Sequence, residues 1–170
     1  MEIKVIRSEN RKRTISARLI NHIMYVYAPA SIPEDQLNKI IEKFKRKFEI
    51  RKIKQELNKQ VDLTTIAQKL NEKYLEGKAQ FNSIEYSTNQ QRQFGVCNSK
   101  NKTIRISHRL ASMPDWVRDY VIIHELSHIL QPNHSNAFWE LVNRYPLAER
   151  ARGYLIAKSL ESNQDIEETT

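Results

Sequence analysis

The chain has 170 residues, of which 39% are apolar and 28% charged, with one cysteine and a net charge of +8. That length suits one domain, or one domain with an appendage, and is enough to bury a real core. The composition excludes a membrane-spanning run of eighteen apolar residues, and the lone Cys97 excludes an internal disulfide.

The N-terminus, MEIKVIRSENRKR, lacks the apolar core of a secretory signal. Together with the single thiol it sets the expectation of a cytoplasmic protein. Residues 2–7, 14–20 and 23–28 are short and β-prone, broken by polar Ser8–Arg13 and Asn21–His22, and predict a small β meander. His22 falls in the turn and is expected to be exposed. After Pro29 and Pro33, Leu37, Ile40, Ile41, Phe44 and Phe48 recur at three and four residues, which predicts an amphipathic helix running weakly to about Gln60. Its other face carries Lys39, Lys43, Lys45, Arg46 and Lys47. Residues 1–60 hold 15 Lys/Arg against 7 Asp/Glu. This excess fits either a solvated helix face or a surface for nucleic acid, anionic lipid or an acidic protein.

A second helix is expected over 63–76, with Gly77 as its stop. Three β-prone pieces follow, 83–88, 92–97 and 102–107, the last two joined by a turn at Asn98–Asn101. Pro114 opens a helix to about Leu130, Ser135 caps another, and Pro146 opens a last helix to about Leu160. The tail, 161–170, is polar and acidic and is expected to be disordered. The domains expected are 1–60 (meander and basic helix), 61–160 (catalytic) and the tail 161–170.

The helix around 124 carries the motif HELSH. Residues four apart share a helix face, so His124 and His128 can hold one ion between them. Glu125 is turned about 100° away. It suits a base acting on water at the ion's open side better than it suits a third ligand. Pro132 disfavours helix at Gln131, so the chain can turn and bring His134 back to the ion. Three histidines with an open fourth position are the pattern of a catalytic zinc, and one Zn2+ is expected. Tyr86, Tyr120, Tyr145, Arg92 and Asn98 are candidate donors to a developing oxyanion. Phe138 and Trp139 are expected to pack behind the third ligand, Cys97 to be a buried structural thiol, and His108 to lie at the surface or cap a segment. The residues favour a metal-dependent hydrolase acting on peptide bonds. A nucleotide phosphoanhydride hydrolase is the alternative, although no glycine-rich phosphate loop is present.

From RQFGVC through KTIRISHRLA to VIIHELSHILQPNHSNAFWELV, residues 92–142 resemble the YgjP-like metallopeptidase domain family, akin to SprT-like zinc proteases. The resemblance implies an α+β, zincin-like fold in which the active-site helix packs against a small antiparallel sheet. It implies His124, His128 and His134 as ligands, Glu125 as base, and a peptide or protein substrate lying extended near residues 92–107. The likeness to SprT-like proteases suggests a further alternative, a nucleic-acid-associated protease module, for which the motivation is the basic charge around Arg11–Arg13 and Lys43–Lys47. The chain departs from the family at Phe94-Gly95-Val96-Cys97, where Trp-Gly-Ser-Cys is common. The histidine spacing also matches the metzincins, but Gln131 replaces their glycine and no methionine follows His134.

Overall fold

The computed structural model describes residues 2–90 and 93–167, with side chains as far as Leu160. The chain is α+β and divides into two compact units, Met1–Ile53 and Lys54–Thr170. The division falls inside a helix, seven residues before the boundary expected at 60. Among the described residues no helix is long and apolar enough to cross a membrane.

The first unit holds β1 (Glu2–Ser8), β2 (Ser16–Ile20), β3 (Ile23–Pro29) and the start of α1 (Glu34–Gln60). The strands form one sheet, but not the expected meander. Its order is β1-β3-β2, with β1 parallel to β3 and β2 antiparallel to it. Crossing β3 means spanning two strand spacings, about 10 Å, and the seven residues between β1 and β2 reach that far easily. β3 takes the middle because it alternates most strictly, with Met24, Val26 and Ala28 fully buried. The hairpin from β2 to β3 turns through Asn21 and His22, both at positive φ (48° and 67°), as a two-residue primed turn requires. His22 is exposed there. Leu37 and Ile41 of α1 close the small core, with Phe44 and Phe48 against its edge. Arg7 fixes the start of the helix by donating to the carbonyls of Ala30 (3.2 Å) and Ile32 (3.1 Å) and pairing with Glu34.

The second unit takes the end of α1, then α2 (Leu63–Leu75), β4 (Ser83–Ser87), β5 (Gly95–Asn98), β6 (Thr103–Ser107), a 3-10 turn (His108–Ser112), α3 (Asp115–Leu130), α4 (Asn136–Val142) and α5 (Ala148–Glu167). Asp62 caps α2, accepting from the Thr65 backbone at 3.1 Å and its hydroxyl at 2.6 Å. The stop is left-handed at Glu76 (φ 56°) as well as at Gly77 (φ 70°). The sheet order is β4-β6-β5, and the sheet is mixed where an antiparallel one was expected. β4 runs parallel to β6, and β5 antiparallel. The expected turn is present: Asn98 Oδ1 accepts from Asn101 N at 3.1 Å, and Lys102 follows at φ 50°. Val117, Val121, Ile122 and Leu126 of α3 share one core with Ile104 and Ile106 of the sheet and with Ala67 and Leu70 of α2. α5 extends past the expected end at Leu160 to Glu167, and residues 168–170 of the expected disordered tail lie outside the described residues.

One side chain fastens the loop between α2 and β4. Asn71 is buried. Its Nδ2 donates to Ala79 O (3.0 Å), and its Oδ1 accepts from Ala79 N (3.1 Å). Asn71→Ala strips both bonds and leaves a buried N–H and C=O unpaired, a cost of about 2–3 kcal/mol. Thermal unfolding of the purified variant should come roughly 10 °C lower. An unchanged melting curve would show that water replaces the amide freely.

Candidate metal centre

The site is built on α3, which ends where the sequence expects. Gln131 is extended (φ −133°, ψ 99°) ahead of Pro132, and its N–H bonds back to Ser127 O at 2.8 Å. The chain then turns, and Ser135 opens α4 by accepting from Phe138 N at 3.4 Å. This brings His134 to the motif face of α3. One ring nitrogen from each of His124, His128 and His134 lies within 4.8 Å of the others. The Nε2 atoms of His124 and His134 approach to 3.3 Å.

Phe138 holds the cluster from beneath. It is fully buried. Its ring stacks on His128 (centroids 4.4 Å apart, planes at 29°) and meets His124 and His134 edge-on at 4.9 and 4.7 Å. Trp139 stacks on His134 at 5.6 Å and 24°. Both therefore lie behind the third imidazole, as expected. The Arg152 guanidinium covers the Trp139 ring at 4.8 Å while donating to Glu149 at 2.7 Å.

Burial, reinforced by His128 and His134, pushes the His124 pKa down to about 3. Burial also lowers that of His128, although the backbone at Gln131 and Pro132 pulls the other way. These two imidazoles are neutral at pH 7 and keep their lone pairs. Imidazole nitrogens converging on one point are a donor set for a borderline-soft divalent ion. The residues fit a bound zinc. His124 Nδ1 is buried with no hydrogen-bond partner among the described residues. Its N–H therefore lacks the outer partner that usually orients a ligating histidine, and ring packing supplies the orientation instead.

Glu125 is 5% exposed. Burial raises its pKa to about 8, while the Cys97 backbone N–H, donating to the carboxyl, works against that rise. The side chain lies over Gly95. A β-carbon there would sit 2.8 Å from Glu125 Cγ and Cδ and closer still to Oε1. Gly95 therefore lets strand β5 approach the carboxyl. No role for it was expected from the sequence, although a glycine inside a β-prone run signals close backbone approach.

His124, Glu125, His128 and His134 open onto one cleft of about 540 Å³, walled by Phe94–Cys97 of β5 and its approach and by Arg152, Leu155 and Ile156 of α5. Of the five candidate oxyanion donors, Tyr120 lines this cleft, its ring 6.0 Å from His124. Tyr86 is buried in the core. Tyr145 donates its hydroxyl to Trp116 O at 3.1 Å. Asn98 is exposed and committed to its turn. Arg92 lies outside the described residues. Arg152, which no sequence signal singled out, joins the wall because α5 folds back beside α3. His108 is half-buried, and Ser107 caps the 3-10 turn in its place.

A buried carboxyl beside three converging imidazoles, open to a cleft, defines a metal-dependent hydrolase-type centre. Residues 31–156 match the YgjP-like, metallopeptidase domain family, and the chain belongs to that family. No curated protein matches the chain. The crystal structure of the metallopeptidase zymogen of Pyrococcus abyssi abylysin is similar at 16% identity and a TM-score of 0.49, over 57% of this chain and 94% of that one.

Cys97 is half-buried in the cleft wall, with its pKa raised to about 11, first by burial and then by Glu125. Its thiolate fraction at pH 8 is about a hundredfold below that of a free thiol. Modification by a disulfide reagent at pH 8 should lag glutathione by about that factor. Equal rates would place the thiol in water.

Proposed function

We propose that this chain is a zinc-dependent peptidase in which His124, His128 and His134 hold one ion and Glu125 is the general base. One observation carries the reading: the buried Glu125 carboxyl, packed against Gly95, shares a cleft with three convergent imidazoles. Zinc bound by these imidazoles supplies a Lewis acid that polarises a carbonyl and lowers the pKa of water.

The remaining work falls to the protein. Burial alone keeps Glu125 protonated at pH 7, and positive charge within a few ångströms favours its ionised form. The carboxylate takes a proton from the attacking water and then delivers it to the leaving amine. Tyr120 and Arg152, which both line the cleft, can donate to the oxygen on which charge develops. The peptide runs extended along β5. Phe94 O accepts from Ser107 N at 2.8 Å, so by strand alternation Phe94 and Val96 face β6. Gly95 and Cys97 then turn their backbone groups to the cleft. The Cys97 N–H is committed to Glu125, which leaves Gly95 to bond a substrate strand.

Glu125→Gln should lower kcat on unstructured peptides by about 10²–10⁴-fold while metal analysis still returns one zinc per chain. Full activity in that variant removes Glu125 from the role. His134→Ala should instead lose zinc, with affinity down by more than a hundredfold in a competitive chelator titration. Hydrolysis of nucleoside triphosphates in place of peptides, abolished by the same chelator, would move the chemistry to phosphoanhydrides.

Gly95→Ala tests the approach of β5. The new methyl group has no room unless Glu125 or the strand moves. Turnover should fall at least tenfold with zinc content unchanged, since a small displacement of a catalytic group costs about that much or more. Wild-type turnover would show that the carboxyl tolerates the shift.

A further inference from the structure

The first unit presents a surface that the linear sequence hides. Strand register places Glu2, Lys4 and Ile6 of β1, Ile23, Tyr25 and Tyr27 of β3, and Ser16, Arg18 and Ile20 of β2 on one face of the sheet. The opposite face carries Met24, Val26 and Ala28 and is covered by α1 through Leu37 and Ile41. On the open face Lys4, Arg18, Ile6 and Ile20 are exposed, and the two tyrosines are half-buried in the central strand. Tyr25 stands between Lys4 and Arg18 as direct cross-strand neighbours, about 5 Å away on either side. Tyr27 lies two residues on, about 7 Å along the strand, with the Arg11 guanidinium 5.4 Å from its ring centroid. Arg11, Lys12 and Arg13 follow in the connection between β1 and β2. The acid on this face is Glu2, at its end, with an oxygen 3.7 Å from Lys4 Nζ.

We propose that this face binds single-stranded nucleic acid, with bases stacking on Tyr25 and Tyr27 and phosphates held by Lys4, Arg11 and Arg18. Two aromatic rings in line, Tyr25 between two cations and Tyr27 with one over its ring, match a polymer that alternates π-faces with negative charges. A duplex keeps its bases stacked and offers no faces to the tyrosines. A lipid surface calls for apolar side chains at the centre of the patch, whereas the central strand here presents two phenols, with Lys4 and Arg18 beside Tyr25 and Ile6 and Ser16 beside Tyr27. The lysine row of α1 belongs to the helix on the sheet's other side and is not part of this surface. The register explains why no basic-aromatic run is visible in the sequence: its members come from three strands.

The test uses the full chain and fluorescence anisotropy with labelled 12-nucleotide pyrimidine-rich DNA and RNA single strands. The same length of duplex and phosphatidylglycerol-containing vesicles serve as competitors. Single strands should bind at least tenfold more tightly than duplex, with affinity falling steeply with salt. Tyr25→Ala/Tyr27→Ala should weaken binding by tenfold or more, and Tyr25→Phe/Tyr27→Phe should stay within about threefold of the parent. Lys4→Ala/Arg18→Ala should flatten the slope of log K against log salt by roughly 1.4, or 0.7 for each phosphate no longer neutralised. These two positions are exposed, so that variant decides the question if the alanine pair at 25 and 27 fails to fold. Glu125→Gln and chelator-treated protein should bind as the parent does, which separates this surface from the hydrolytic reading. Equal affinity for duplex, an unchanged salt slope in Lys4→Ala/Arg18→Ala, or vesicles that displace the strand and bind more tightly would overturn the proposal.

Discussion

The ring of Phe138 touches all three imidazoles, and the geometry of the centre rests on that contact. A histidine side chain has two rotatable bonds, and three of them left free would cost entropy to gather around one point. Packing against a single buried ring settles this before anything binds. Phe138 is in turn fixed by the first turn of α4, where Ser135 accepts its backbone N–H. The cap, the ring and the third imidazole all lie within five residues, so the loop that delivers His134 also delivers the platform it rests on.

α3 carries a conflicting load. Val117, Val121, Ile122, Ile123 and Leu126 are core, yet His124, Glu125 and His128 sit among them. A carboxyl at that depth is costly unless it finds a partner. The partner is backbone: the Cys97 N–H of β5, brought close because residue 95 has no side chain. The same burial that raises the Glu125 pKa also suits it to exchange protons near neutrality. One contact between helix and strand therefore sets both the burial of this carboxyl and its hydrogen bonding.

Much of this was legible in the chain. The four-residue spacing of His124 and His128 put them on one face, and Pro132 ended the helix where His134 could return. Ser135, Phe138 and Trp139 read correctly as a cap and its packing. What the sequence could not carry was long-range. Alternation identifies a strand but not its neighbours, so both sheets read as antiparallel arrangements, and in each the first strand lies parallel to the third. Arg152 reaches the cleft only because α5 returns to α3, and periodicity does not encode that return. Gly95 was visible as a glycine in a strand, but its meaning depends on a glutamate 30 residues away.

The second sheet has two edges, and they are treated differently. At β4, Asn58 lies against the strand as a short mimic of another. Its Oδ1 accepts from Tyr86 N at 2.8 Å, and its Nδ2 donates to Tyr86 O at 3.2 Å. Lys54, one turn earlier, reaches Glu85 at 2.8 Å. An edge closed in this way resists pairing with another chain. Among the described residues no side chain bonds the Gly95 backbone at the β5 edge, which borders the cleft that holds the histidines. The two edges therefore differ in what they leave open: backbone groups are closed off by a side chain at β4 and border the cleft beside Glu125 at β5. The end of α1 thus shapes the sheet through Asn58, which closes the β4 edge at Tyr86.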